Sequence, residues 1–502
     1  MKLKKTSLKK TSACMAVVAI LAAGVLLPQS ASTASANSAQ RYFRGADAYG
    51  AAYKGDSCPF VVEKENLTFN LNEFPSNYYN DKASFLAYSG SVTAEYTFYN
   101  PSEYTVTANL AFPFGETPDY GYYYDENGKR IYGVDAEKYD VLVGGEKVDK
   151  KVRYTYFNGG YFNVEEDLPK ISDEYVKDSF FSPETVVTEY TYVVGGKNKD
   201  GLIDESKYPS ACISFDYAGD KEKTKIIFPK QSGYRWFENK KARVDAWAKN
   251  GDEVKLYAFG KPLDTPVSFK CYKDGWAKDG DEISGKVELT DTVTTNLKDL
   301  INSVCGKKSG IPFISEIDLY NASVYSLNRR GSYDYGIMPN SGSIFSDDFE
   351  TCLMRWYEYE ITLGPNERKT NSVTAPIYPT IHTEFSPAKN VYTYYLSPAK
   401  TWTSFGSIDI TINTPYYIMN PSLSGFEKTD GGYKLSLSGL PDEELKFTLS
   451  SSENPKIAKR KASGIAILLT TACVLLGVVP VVLLAVIIII VIWQNKKNAK
   501  SE

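Results

Sequence analysis

The sequence predicts a mainly β fold: two or three antiparallel β-sandwich domains with a few short helices, plus one C-terminal transmembrane helix. Three observations predict it. Apolar residues alternate with period two in several stretches separated by turn residues. Tyrosine, a favoured strand residue, occurs 39 times in 502 residues. An uncharged run of 30 residues, Gly464 to Trp493, stands near the end, where about 20 suffice to cross a bilayer.

In chain order, residues 1–36 read as a signal peptide, with a basic start, an apolar run from Ala13 to Leu27 and small residues ending Ala34-Ser35-Ala36. Cleavage is expected after Ala36. The remaining chain divides into an N-terminal β-sandwich over 37–170, a second β domain over 171–290, a helical or loop insertion over 291–350 and a C-terminal β-sandwich over 351–455. A transmembrane helix over 464–493 and a cytoplasmic tail over 494–502 follow. The signal peptide orients the span so that the bulk of the chain lies outside.

Four stretches read as hairpins. VTAEYTFYNPSEYTVTANLAFPFG (92–115) places Val92, Ala94, Tyr96 and Phe98 on one face and Val106, Ala108, Leu110 and Phe112 on another, across an Asn-Pro-Ser-Glu turn. Residues 242–260 repeat the pattern across Asn250-Gly251, the strongest short hairpin signal. Residues 212–230 do so around a charged turn, and 353–379 across Gly364-Pro365-Asn366. Phe112-Pro113, Phe228-Pro229 and Tyr378-Pro379 mark strand ends, because proline cannot donate to a ladder.

Helical signals are local. Leu297, Leu300, Ile301 and Val304 share one face within 294–310. A short helix is expected from Ser172 to Phe180, with Ser172 as its cap, and 314–327 is compatible with helix or strand.

Three stretches carry a family resemblance: the 92–115 segment, KYDVLVGGEKVDKKVRYTY (138–156) and YTYYLSPAKTWTSFGSIDITINTP (392–415). In them the chain resembles an uncharacterised family of secreted, C-terminally membrane-anchored surface proteins of Gram-positive anaerobic bacteria. The resemblance implies immunoglobulin-like sandwiches on a bacterial cell surface, and brings no activity with it.

Charge narrows the partners. The chain has 57 basic and 61 acidic residues, but the termini are basic, which leaves 45 basic and 60 acidic residues in 37–455. So acidic an exterior repels nucleic acid and anionic surface polymers. The expected partners are an extracellular protein or glycan, and the bilayer through the one C-terminal helix.

The search for chemistry assigns no residue to catalysis, cofactor or metal. His382 is the only histidine, which excludes two-His metal sites and leaves a Ser-His-Asp triad one candidate, in a Pro-bounded run without a GxSxG elbow. Ser386–Lys389 and Ser397–Lys400 both spell SxxK, but they adjoin strand-like sequence, and SDN and KTG are absent. The acidic loops at 124–130, 198–205, 278–282 and 346–350 miss EF-hand spacing; with Gly201 as the invariant glycine, Lys207 falls where glutamate is required. The five cysteines of 37–455, Cys58, Cys212, Cys271, Cys305 and Cys352, are odd in number and contain no CxxC, so they read as isolated buried thiols, with one bonded pair left open. Asn66-Leu67-Thr68 and Asn321-Ala322-Ser323 are sequons on paper only.

The reading is a membrane-anchored surface protein, non-enzymatic, acting by binding or structural interaction at the cell envelope. The alternative is an envelope enzyme acting on glycan or peptide through Asp or Glu groups, which requires two carboxylates facing each other in a cleft.

Overall fold

A computed structural model describes residues 42–458 apart from short internal stretches, the longest being 329–335. The expected signal peptide, transmembrane helix and cytoplasmic tail lie outside the described residues. Among the described residues, no helix is long and apolar enough to cross a membrane.

The chain is mainly β. It runs through β1 (Val61–Asn70), β2 (Ser91–Tyr99), β3 (Val106–Glu116) and β4 (Lys151–Tyr156) into β5 (Val186–Val194), β6 (Cys212–Tyr217), β7 (Thr224–Ile227), β8 (Gly233–Phe237), β9 (Lys241–Trp247), β10 (Glu253–Gly260), β11 (Phe269–Tyr272) and β12 (Val287–Asn296). Helices α1 (Leu297–Lys308) and α2 (Glu316–Leu327) follow. Strands β13 (Leu353–Leu363), β14 (Arg368–Pro376), β15 (Lys389–Tyr395), β16 (Ser404–Asn413), β17 (Gly432–Ser438) and β18 (Leu445–Ser450) complete it, with several shorter strands between.

The four predicted hairpins are arches. Strands β2 and β3 do not pair with each other: β2 pairs antiparallel with β14, and β3 with β13. The 92–115 arch therefore lies on the 353–379 arch, with one strand of each in an eight-stranded sheet and the other in a four-stranded sheet. The second pair repeats the arrangement, β6 pairing with β9 and β7 with β10 across two five-stranded sheets. Period-two alternation reports which residues share a face, and it is the same whether a strand folds back beside its neighbour or crosses to the facing sheet.

The arches also correct the expected domain order. Segments 37–170 and 351–455 do not stand as separate sandwiches, since their strands alternate in shared sheets and β1 pairs parallel with β16. Their common core joins Val92, Ala94, Tyr96 and Phe98 of β2 to Ala108, Leu110 and Phe112 of β3 and to Ile361 and Val373 of the returning arch. Burying such side chains contributes about 25 cal/mol for each Å² of apolar surface removed from water. The second core lies within 190–337, around Tyr192, Phe215, Val244 and Leu256.

Local details follow from the residues. Pro113 lies inside β3, not at its end, because a β-bulge between Arg355 and Trp356 follows directly and takes Phe114 out of register. Phe114 then stacks on Tyr357 with ring centroids 4.3 Å apart. Helix α1 buries Leu297, Leu300 and Ile301 as its spacing predicts. The 314–327 stretch is helix, capped by Ser315, whose hydroxyl accepts from the Asp318 amide at 3.0 Å. The short helix expected over 172–180 does not form. There the Val176 amide donates to Asn321 Oδ1 at 2.8 Å and the Glu174 carbonyl accepts from Asn321 Nδ2 at 2.9 Å, so α2 takes the backbone groups a helix would use.

Candidate functional site

A cleft of about 600 Å³ opens on the outward face of the four-stranded sheet, lined by Lys54, Asn109, Lys150, Asp173, Glu358 and Glu360 among others. Alternation fixes these positions. Tyr357, Tyr359 and Ile361 of β13 fill the core, so Glu358 and Glu360 between them must face outward.

Arg153 of β4 binds two of the lining carboxylates, Asp173 and Glu358. Its guanidinium donates to both Asp318 oxygens, at 3.0–3.2 Å, and to Glu358 Oε2 at 2.5 Å. It also donates to the Ser172 carbonyl at 2.7 Å and pairs with Asp173 at 3.0 Å. Lys54 reaches the other Glu358 oxygen at 2.5 Å. Arg153, Asp318 and Glu358 are all buried, so one cation joins α2, the 172–173 segment and β13 to β4. Burial pushes the Glu358 carboxyl up, but Lys54 and Arg153 together outweigh it and hold the group below the usual carboxylate range.

Four carboxylates line the cleft, Asp149, Asp173, Glu358 and Glu360, and two of them, Asp173 and Glu358, are tied to one guanidinium. A general acid of the alternative enzyme reading needs a raised pKa, whereas Glu358 moves the other way.

The sequence-predicted positions lie elsewhere. His382 is half-buried, with Nδ1 2.8 Å from Glu384 Oε1. Ser386 lies on a two-residue strand and Lys389 opens β15, its ammonium 3.7 Å from the Phe385 ring centroid. Ser397 and Lys400 fall in a single 3₁₀ turn, Ser397–Thr401, a local helix that the strand-like surroundings concealed. Its start is fixed by Glu444, which accepts from the Leu396 and Ser397 amides at 2.5 and 3.2 Å. Among the described residues, no cluster of His, Cys, Asp and Glu could hold a metal ion.

Cys58, Cys212 and Cys271 are buried thiols, and burial pushes the last two up to about 12 and about 11. Cys305 is buried as well, against the α1–α2 layer, while Cys352 is half-buried there. Asn321 is buried and bonded on both ends of its amide, which leaves it inaccessible. Asn66 lies mid-strand on β1 with Nδ2 on Glu95 Oε1 at 3.2 Å.

Two surfaces were not predicted. Tyr234 and Trp236 of β8 remain 46% and 38% exposed, with ring centroids 5.1 Å apart. They stand opposite Val244 and Ala242 of β9, so both rings project from the core-facing side of an edge strand, past the covered part of the sheet. The eight-stranded sheet presents the second surface, a polar outer face on which Thr374, Thr93, Thr68 and Thr411 stand in register across four strands. Only strand pairing brings those four together.

No known protein family and no curated protein matches the chain. Among solved structures, it is similar to a "putative nutrient binding protein" of Legionella pneumophila at 10% identity and a TM-score of 0.32, over 82% of this chain and 72% of that one.

Proposed function

We propose that this chain is a membrane-anchored extracellular surface protein that acts by binding or structural interaction at the cell envelope. In this reading the N-terminal segment is removed after Ala36, residues 464–493 cross the membrane and the sandwiches, immunoglobulin-like in kind, stand outside. It is a non-enzymatic role of the kind expected for surface proteins of Gram-positive anaerobes.

The observation that carries the binding part is the exposed Tyr234–Trp236 pair on edge strand β8. Most large aromatic side chains of the described residues are claimed by cores, and aromatic rings left at an edge offer stacking area with little rotamer freedom to lose. The ligand is an extracellular protein or a glycan.

Two experiments test the reading. Protease added to intact cells should release fragments of 37–455; complete protection of that stretch overturns the topology. Isolated envelope material should retain the full chain in detergent, and the double variant Tyr234→Ser, Trp236→Ser should lose retention at least tenfold with an unchanged melting temperature. Equal retention by both proteins removes the edge strand from the reading.

A further inference from the structure

Glu65 is a carboxylate in the middle of an apolar core. It lies on β1, the strand between β2 and β16, and is fully buried. Its cross-strand partner on β2 is Tyr96 and on β16 is Ile408. Across the sandwich Tyr394 of β15 brings its hydroxyl to 3.5 Å from Oε1, and Oε2 has no hydrogen-bond partner. The Tyr96 hydroxyl accepts from the Ala51 amide at 3.0 Å. Beyond Tyr394 stands Tyr359 of β13, whose own hydroxyl is given to Asn371 at 2.8 Å.

The titratable groups acting on Glu65 are thus Tyr96 and Tyr394, with no cation among them. Burial pushes its carboxyl up to about 7, and hydrogen bonds from the two tyrosines offset this only in part. Both tyrosines are themselves pushed up by burial, so they stay neutral where Glu65 titrates. An ionised Glu65 has acceptors only and leaves a charged oxygen without a donor, the costly case in a dry core. A neutral Glu65 gains an O–H that can be given to a tyrosine oxygen.

We infer that Glu65, Tyr96 and Tyr394 form a proton-dependent lock between β1 and β15, closed while the carboxyl is neutral and loosened when it ionises. The sign is opposite to ordinary acid denaturation. The folded state keeps the proton to a higher pH than the unfolded chain, so the contribution is complete below the ordinary carboxylate range, declines as pH rises towards about 7 and is gone above it. The folding equilibrium constant should lose on the order of 10²-fold across that window.

The test is thermal and urea unfolding of the full chain in detergent from pH 5 to 8, beside Glu65→Gln, which fixes the neutral shape. The wild type should lose stability relative to the variant steadily as pH rises, and parallel curves overturn the inference. Should Glu65→Gln not fold, infrared spectroscopy of the wild type decides: a protonated-carboxyl band should vanish between pH 6 and 8 and move to higher pH in Tyr394→Phe. A spectrum without such a band at pH 6, or a titration that Tyr394→Phe leaves unmoved, overturns it equally.

Discussion

The side-chain amide of Asn100 donates to the carbonyl oxygens of Leu363 and Gly364, at 3.2 and 2.9 Å, across more than 260 residues of chain. The same nitrogen reaches the Tyr104 carbonyl at 2.9 Å, and Oδ1 accepts from the Ser102 amide at 3.0 Å. One fully buried side chain thereby closes its own turn and fastens it to the turn of the other arch.

Asn100→Ala should destabilise the protein by about 2–4 kcal/mol, since three carbonyls and one amide lose a buried partner together. Asn100→Asp should fare no better, because a carboxylate cannot donate to the carbonyls. Urea unfolding followed by circular dichroism measures both; a loss below about 0.5 kcal/mol for Asn100→Ala would show that the arches hold without this bond.

Arg153→Met should cost about 3–5 kcal/mol, because it strands Asp318 as a buried charge without its cation and leaves Glu358 to Lys54 alone. Glu358 also sets a pH dependence. Its carboxyl is held below the usual range, so its contribution is present above the ordinary glutamate pKa and is lost as pH falls through the depressed value. Relative to Glu358→Gln, the wild type should lose stability on acidification below about pH 4.5, the reverse of the Glu65 comparison.

Gly115→Ala should cost about 2–4 kcal/mol. Gly115 has φ +85°, and an added Cβ would lie 2.2 Å from the Asp47 carbonyl oxygen, a backbone atom that cannot swing away. Refolding yield and melting temperature report the effect, with Gly145→Ala as a comparison: φ is +84° there too, but the space is open, so only the backbone strain remains.

Native Cys212 and Cys271 should resist alkylation at pH 7.5, whereas both should react in urea. Burial raises their pKa values and leaves little thiolate to attack the reagent. Peptide mapping by mass spectrometry after timed iodoacetamide treatment separates these two sites from the other cysteines.

Much of the fold was readable in the chain, and particular residues show where reading stopped. The alternation that put Tyr96 and Phe98 on a core face was right, and both are fully buried. The Leu297–Ile301 spacing found α1. The 172–180 segment failed because Ser172, Asp173 and Glu174 satisfy the local rules for a helix start, while Asn321, distant in sequence, takes the backbone groups. The candidate cleft was invisible, since Lys54, Lys150, Asp173 and Glu358 lie in four separate segments without any shared motif. Tyr234 and Trp236 looked like any other strand aromatics, and only the limit of the opposing sheet leaves them exposed.

The sequence by itself determined strand content and the face each strand buries, because side-chain direction alternates with every residue whatever the neighbour. It did not determine which strands pair. That choice depends on how two arches match in turn geometry and core volume, and a hydrogen bond such as Asn100 to Gly364 exists only once both turns are in place. The tertiary structure alone turned four apparent hairpins into two stacked pairs of arches, placed Arg153 against Asp318 and enclosed Glu65 in the core with Tyr96 and Tyr394.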